Sequence, residues 1–324
     1  MQYKMWDMQF ILPADLIIMQ KETDGTEEKI LRILNISNSH GQDAMWLLPE
    51  VLRREVPDWE FFVAEMYQAY ALPEHVAAAQ NDAPDYIYYT NEEGLWKKTD
   101  NVTIQHALTD QRWDVVMFNE SSRYLGLDHM MSKGLVDWFL NYILENLDYK
   151  PVLLYNMTWA NPTDDRFFAP DTDRQKAPER FKDTYAQRYG CDHVNLFNKL
   201  VEMTKKYLVN HEGFDKIIYN AKPIQYAWDV LGVPEWDDGQ KLDLFRDYTH
   251  LSDFARLMVA YSWYAQMFAV KELTQIHVNV IPSALRATSR QIKLGDLEIT
   301  QQHKKIIMES VNATLQDPLK MPDK

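Results

Sequence analysis

The chain has 324 residues, 46% of them hydrophobic and 25% charged, a balance that supports a folded core and not a disordered chain. A formal charge of −14, with no basic stripe, argues against a nucleic-acid partner. The single cysteine, Cys191, leaves no intramolecular disulfide framework and no multi-cysteine zinc site. The run Cys191-Asp192-His193 is too short a cluster to indicate a metal on its own.

The opening stretch "MQYKMWDMQFILPADLIIMQ" is interrupted by Asp7 and Pro13, and no small-residue cleavage site follows, so it does not read as a signal peptide. The compartment stays open: inside the cell, or periplasmic or extracellular if an export signal has been removed. No apolar run reaches the roughly 18–20 residues of a membrane helix, so no membrane span is expected. Residues 1–28 read as an extension, either an added strand or a segment draped over the sheet.

From there the chain alternates. Leu31 to Ile36, "LRILNI", reads as a buried strand, followed by a helix-period segment from Asp43 to Glu55 with Ala44, Leu47, Leu48, Val51 and Leu52 on one face. Further strands are expected at Trp59 to Met66, Trp113 to Phe118, Pro151 to Trp159 and Lys216 to Ala221. Helices are expected at Lys133 to Leu147, Asn195 to Val209, Ser252 to Phe268 and Thr300 to Leu315. The strands are near-continuous apolar runs, the pattern of a sheet covered by helices on both faces. That succession predicts a doubly wound α/β domain over 29–286 with a central parallel sheet, and a C-terminal helix and tail, 287–324, packed on the same domain.

Two loops stand out. Asp82 to Asp100 is polar and reads as a short hairpin (Tyr86 to Tyr89, then Trp96), and Asn161 to Arg180 is long enough to form a rim or lid.

Polar groups fall at three places where such a fold opens its site, the carboxyl ends of the strands. Ser37-Asn38-Ser39 follows the first strand, Asn119-Glu120-Ser121-Ser122 follows "WDVVMF", and Asp247 and His250 precede the helix at Ser252. An Asp-x-x-His turn can set a carboxylate against an imidazole Nδ1–H, which leaves Nε2 to take a proton from a serine. A serine hydroxyl needs such a base to act as a nucleophile. Each block also has a plain reading, because serine, asparagine and aspartate are common turn and helix-cap residues. The joint order of the three favours a site.

"NISNSHGQDA", "WDVVMFNESS", "LLYNMTWANP" and "DYTHLSDFARLMVAYSWY" together resemble the SGNH (GDSL-type) hydrolases. Within these they are most similar to a bacterial branch still carried as a domain of unknown function, over roughly Ile30 to Leu285. The resemblance implies a flavodoxin-like three-layer α/β/α sandwich and an acyl hydrolase that needs no cofactor. It places Ser39 as nucleophile, His250 as base and Asp247 as the carboxylate that orients it. The oxyanion donors would be the Ser39 N–H, a backbone N–H at Ala69 and the Asn119 amide, with Asn38, Glu120 and Trp159 beside the substrate. Three glycines usual in the superfamily are replaced by Ser37, Ala69 and Met117.

Two functions follow. One is a serine esterase, acting on a small-molecule or glycan ester and possible as a carbohydrate deacetylase. The other is a carbohydrate- or peptide-binding protein on a degenerate scaffold, for which the missing glycines speak. Loop aromatics Trp96, Tyr124, Phe167, Phe168 and Trp236, with Trp159, could stack on a sugar ring or simply pack the rim. His40 reads as a supporting residue beside Ser39, and His129 as a loop or helix-start residue.

Overall fold

Apolar side chains alternate between two cores on either side of one sheet. The computed structural model describes residues 21–23, 26–92, 94–119, 131, 133–161, 193–231, 244–246, 250–286 and 294–319. A two-strand ribbon, β1 (Lys21–Thr23) and β2 (Thr26–Glu28), precedes the sheet. The sheet itself is built from β3 (Ile30–Ser37), β4 (Glu60–Tyr67), β5 (Tyr86–Glu92), β6 (Leu95–Val102), β7 (Val115–Phe118), β8 (Val152–Met157) and β9 (Lys216–Tyr219). Their spatial order is β6-β5-β4-β3-β7-β8-β9.

Five neighbours, β4, β3, β7, β8 and β9, run parallel. Beyond β4 the sheet departs from the all-parallel expectation, because β5 is antiparallel to β4 and β6 to β5. For β5 and β6 the physical reason is the connection: a tight turn through Gly94, at φ 92°, can join only antiparallel strands, whereas a parallel pair needs a crossover of a dozen or more residues. The hairpin expected over Asp82 to Asp100 is two full strands, with β6 at the edge of the sheet.

Leu31, Ile33, Val63, Val115, Met117, Leu154 and Ile218 point to one core. Leu34, Ile36, Ala64, Met66, Val116, Phe118, Leu153, Tyr155 and Ile217 point to the other. The first face is covered by α1 (Ser39–Met45), α2 (Leu48–Glu55), α7 (Ala221–Leu231), α8 (Asp253–Met267) and α9 (Gln301–Gln316); the second by α3 (Leu72–Gln80), α4 (Ile104–Asp110), α5 (Leu135–Glu145) and α6 (His193–Tyr207). The single helix expected over Asp43 to Glu55 is two. Pro49 lies in the first turn of α2, where its missing N–H costs nothing, and it bars a continuous helix through Met45. In α9, Ile306, Ile307 and Val311 are buried in the same core as α8. A small ribbon of β10 (Val280–Ile281) and β11 (Leu297–Glu298) lies between them in sequence.

The strand order places the topological switch point at β3. The chain leaves β3 for β4 on one side and returns to β7 on the other, and the crevice above such a point is where doubly wound sheets bind their ligands.

Candidate active site

Ser39 lies at that crevice. It is half-buried at the first position of α1, directly after the carboxyl end of β3. The preceding residue, Asn38, caps the helix: its Oδ1 accepts the His40 N–H at 3.1 Å. The same oxygen accepts Asn119 Nδ2 at 2.9 Å, and Asn38 Nδ2 donates to the Tyr70 carbonyl at 3.0 Å. Asn38 therefore joins the ends of β3, β4 and β7. It is only 3% exposed, and its amide makes all of these bonds, so it caps α1 and ties the strand ends together.

His250 is half-buried in the loop before α8. Its ring centroid lies 5.9 Å from that of His40, the residue after Ser39. On its other side His40 packs against Trp159, at 5.4 Å between ring centroids. Trp159 is fully buried, so it forms a wall beneath the site and not an open stacking platform. Trp96 stacks on Trp46 at 4.7 Å and donates its indole N–H to the Trp46 carbonyl at 3.2 Å. Asp247, Glu120, Tyr124, His129, Phe167, Phe168, Cys191 and Trp236, and the rim expected after Asn161, lie outside the described residues.

The expected oxyanion donors are partly engaged elsewhere. The Ala69 N–H donates to Gln68 Oε1 at 2.9 Å on an exposed turn, and one N–H of the Asn119 amide goes to Asn38. The Ser39 N–H belongs to the first helical turn, whose N–H groups have no partner within their own helix.

A belt of polar side chains runs below the crevice on the α1 face. Asn35 Nδ2 donates to Glu65 Oε2 at 2.6 Å, and the other carboxyl oxygen of Glu65 shares a hydrogen bond with Ser37 Oγ. Asn220 Nδ2 donates to Asn156 Oδ1 at 2.5 Å. With Asn119, all six are buried. Burial pushes the Glu65 carboxyl up to about 8, against the opposing pull of its bonds to Ser37 and Asn35. At neutral pH it is mostly protonated, so its O–H can donate to Ser37 Oγ while the Ser37 hydroxyl donates to the Asn38 carbonyl, 3.0 Å away. That chain pins the turn at the point where the resemblance expects glycine.

The close approach comes instead at Gly41. A Cβ there would sit 2.3 Å from Ser37 Cβ, 2.4 Å from Ser37 Oγ and 2.5 Å from Asn119 Oδ1. A glycine two residues after the serine lets α1 settle onto the strand ends. The residues sequence reasoning passed over are thus Gly41, Asp43 and Arg246.

Asp43 is buried on α1, one turn after Ser39. Its Oδ2 accepts the Leu251 N–H at 2.9 Å, and its Oδ1 meets Arg246 Nη1 at 2.8 Å and Arg256 Nε at 3.5 Å. Arg246 Nη1 also donates to the Leu251 carbonyl, at 2.5 Å. The Arg246 N–H donates to the His250 carbonyl at 3.0 Å. Arg256 is held in turn by Asp253, which also pairs with Arg286, each at 2.9 Å. Among the described residues no group of three or more His, Cys, Asp or Glu could hold a metal ion, and no helix is long and apolar enough to cross a membrane.

A doubly wound α/β chain with serine, imidazole and amide side chains gathered at its switch point has the layout of a ligand-binding or catalytic α/β domain. The chain belongs to the family described as a domain of unknown function, DUF4886, whose model matches residues 32–279. It is similar in structure to a DUF4886 family protein from Bacteroides uniformis ATCC 8492, with a TM-score of 0.64, 24% identity, and coverage of 91% of this chain and 97% of that one. It also aligns with a protein provisionally classed as an SGNH hydrolase, from Slackia heliotrinireducens, with a TM-score of 0.43, 16% identity, and coverage of 74% of this chain and 100% of that one. No functionally curated protein matches the chain.

Proposed function

We propose that the protein is a serine acyl hydrolase acting on carboxylic esters, with Ser39 as nucleophile and His250 as general base. The observation that carries this reading is the approach of the His250 loop to the start of α1, with the His250 ring 5.9 Å from that of His40, the neighbour of Ser39.

In this reading Ser39 Oγ attacks the acyl carbon as its proton passes to His250 Nε2, and Asp247 holds the opposite ring nitrogen. The tetrahedral intermediate collapses, the alcohol leaves with the proton from His250, and water hydrolyses the acyl-serine with His250 again as base. The oxyanion is met by the Ser39 N–H and by the Asn119 amide, whose NH2 carries two donors, one of them on Asn38. No metal or organic cofactor enters. An acetylated sugar is the substrate class that the superfamily resemblance suggests.

The test is turnover of p-nitrophenyl acetate by the wild type and by Ser39→Ala. Loss of turnover in a variant with unchanged circular dichroism supports the assignment; full retention eliminates it.

One observation favours a second reading, a binding protein on a degenerate scaffold. The Ala69 N–H, one of the expected oxyanion donors, is spent on Gln68. Loss of one such donor removes on the order of 3–4 kcal/mol of transition-state stabilisation. Sugar or peptide binding by a chain whose Ser39 resists acylation would favour it.

A further inference from the structure

We infer that Asp43 and Arg246 form a clamp that positions His250 over Ser39, a role that rests on the esterase reading but has its own test. Ser39 and Asp43 stand four residues apart on α1, hence on the same helical face. From Asp43 the connection to the base is one hydrogen bond, to the N–H of Leu251, and one peptide link back to His250.

Arg246 closes the other side. It bonds Asp43 through its guanidinium and grips the loop at two carbonyls, Leu251 through Nη1 and His250 through its backbone N–H. Phe245 and Leu251 form an antiparallel bridge, and the Ser252 N–H donates to the Leu244 carbonyl at 2.9 Å. Residues 244–246 and 250–252 are thereby tied to each other, and through Arg246 and Leu251 to α1.

The clamp is largely shielded from water. The Asp43 side chain is 3% exposed and that of Arg246 17%, so the bonds act at low dielectric and with little screening by salt. An α/β fold needs no charged cluster here for burial alone, since α1 and α8 could meet through apolar residues. A buried pair commonly adds less stability than a well-packed apolar replacement, but it fixes geometry. Nucleophile and base on separate elements must be held to within a fraction of an ångström, and a 1 Å displacement costs on the order of 100-fold in rate.

The test compares wild type, Asp43→Ala, Asp43→Asn, Arg246→Ala and the Asp43→Ala/Arg246→Ala double variant, well below their melting temperatures. Two readouts are taken: kcat and KM for p-nitrophenyl acetate, and the ring resonances of His250 in histidine-labelled protein, assigned with His250→Ala. A clamp predicts that Asp43→Ala and Arg246→Ala lower kcat by about 10- to 100-fold with KM changed less than about threefold. The double variant should be no worse than the poorer single one, because the two residues act as a unit. Asp43→Asn, which keeps an acceptor for the Leu251 N–H, should recover part of the loss. The His250 ring signals should shift or broaden in the alanine variants and return toward wild type in the asparagine one.

Unchanged His250 resonances in a folded Asp43→Ala protein would overturn the clamp, as would unchanged kcat where Ser39-dependent turnover is present. If the wild type shows no Ser39-dependent turnover, the esterase reading fails, and the resonances alone decide whether Asp43 holds the histidine.

Discussion

Asp43 and Leu251 are 208 positions apart in sequence, yet the carboxylate of the first accepts the backbone N–H of the second at 2.9 Å. This bond ties the helix that begins at Ser39 to the loop that carries His250, and it has a consequence for stability. Removing one partner of a buried ion pair leaves the other charge uncompensated, at a cost of about 3–5 kcal/mol. Asp43→Ala should therefore lower the urea midpoint by that equivalent with an unchanged slope. Asp43→Asn should lose less. A change below about 0.5 kcal/mol in Asp43→Ala would mean that Arg246 finds another anion.

The tight seat of α1 makes a second prediction. Gly41→Ala places a methyl against Ser37 and Asn119, each at 2.5 Å or less, where both neighbours are buried and hydrogen-bonded. Overpacking of this kind costs about 1–3 kcal/mol, and it tilts the first turn of the helix, so the turnover proposed for Ser39 should fall by about tenfold or more. Gly295→Ala, with nothing within 4 Å of the new methyl, is the control and should leave both activity and melting temperature unchanged.

Much of this frame is legible in the sequence. "LRILNI" and "WDVVMF" are mostly apolar and do not alternate, the pattern of a strand covered on both faces, and both contribute strands to the parallel part of the sheet. The edge hairpin is less legible because Tyr86 to Val102 mixes tyrosine, threonine and lysine, residues that suit a half-solvated edge and a loop alike. Asp43 hides for another reason. In sequence it reads as the polar start of an amphipathic helix, and only tertiary structure brings Arg246 to it. The resemblance puts glycine at positions 37, 69 and 117. Gly41 lies two residues past the serine, but which strand end it must clear depends on the packing of α1.

The buried carboxyl of Glu65 gives a pH dependence. Its folded-state value, about 8, lies above the ordinary 4.5, so the folded protein holds a proton that the unfolded chain has released. Stability from this group is complete below 4.5 and is lost as pH rises toward 8. Buried His75 acts in the opposite sense: burial pushes it from 6.5 down to about 3, so its contribution is complete above 6.5 and is lost as pH falls toward 3. Between pH 6.5 and 8 only the Glu65 effect is left of these two. Glu65→Gln, whose amide can donate to Ser37 Oγ and accept from Asn35, should remove the decline over that interval in urea unfolding. An identical slope in wild type and variant would place the titrating group elsewhere.

The most direct measurement of the central claim is covalent labelling of the folded chain with a fluorophosphonate probe, followed by peptide mass analysis. The account predicts modification at Ser39, none in Ser39→Ala, and labelling of His250→Ala slowed by at least about 100-fold, the lower end of what a general base contributes. An unmodified Ser39 in wild-type protein, or equal labelling rates with and without the imidazole of His250, would contradict it.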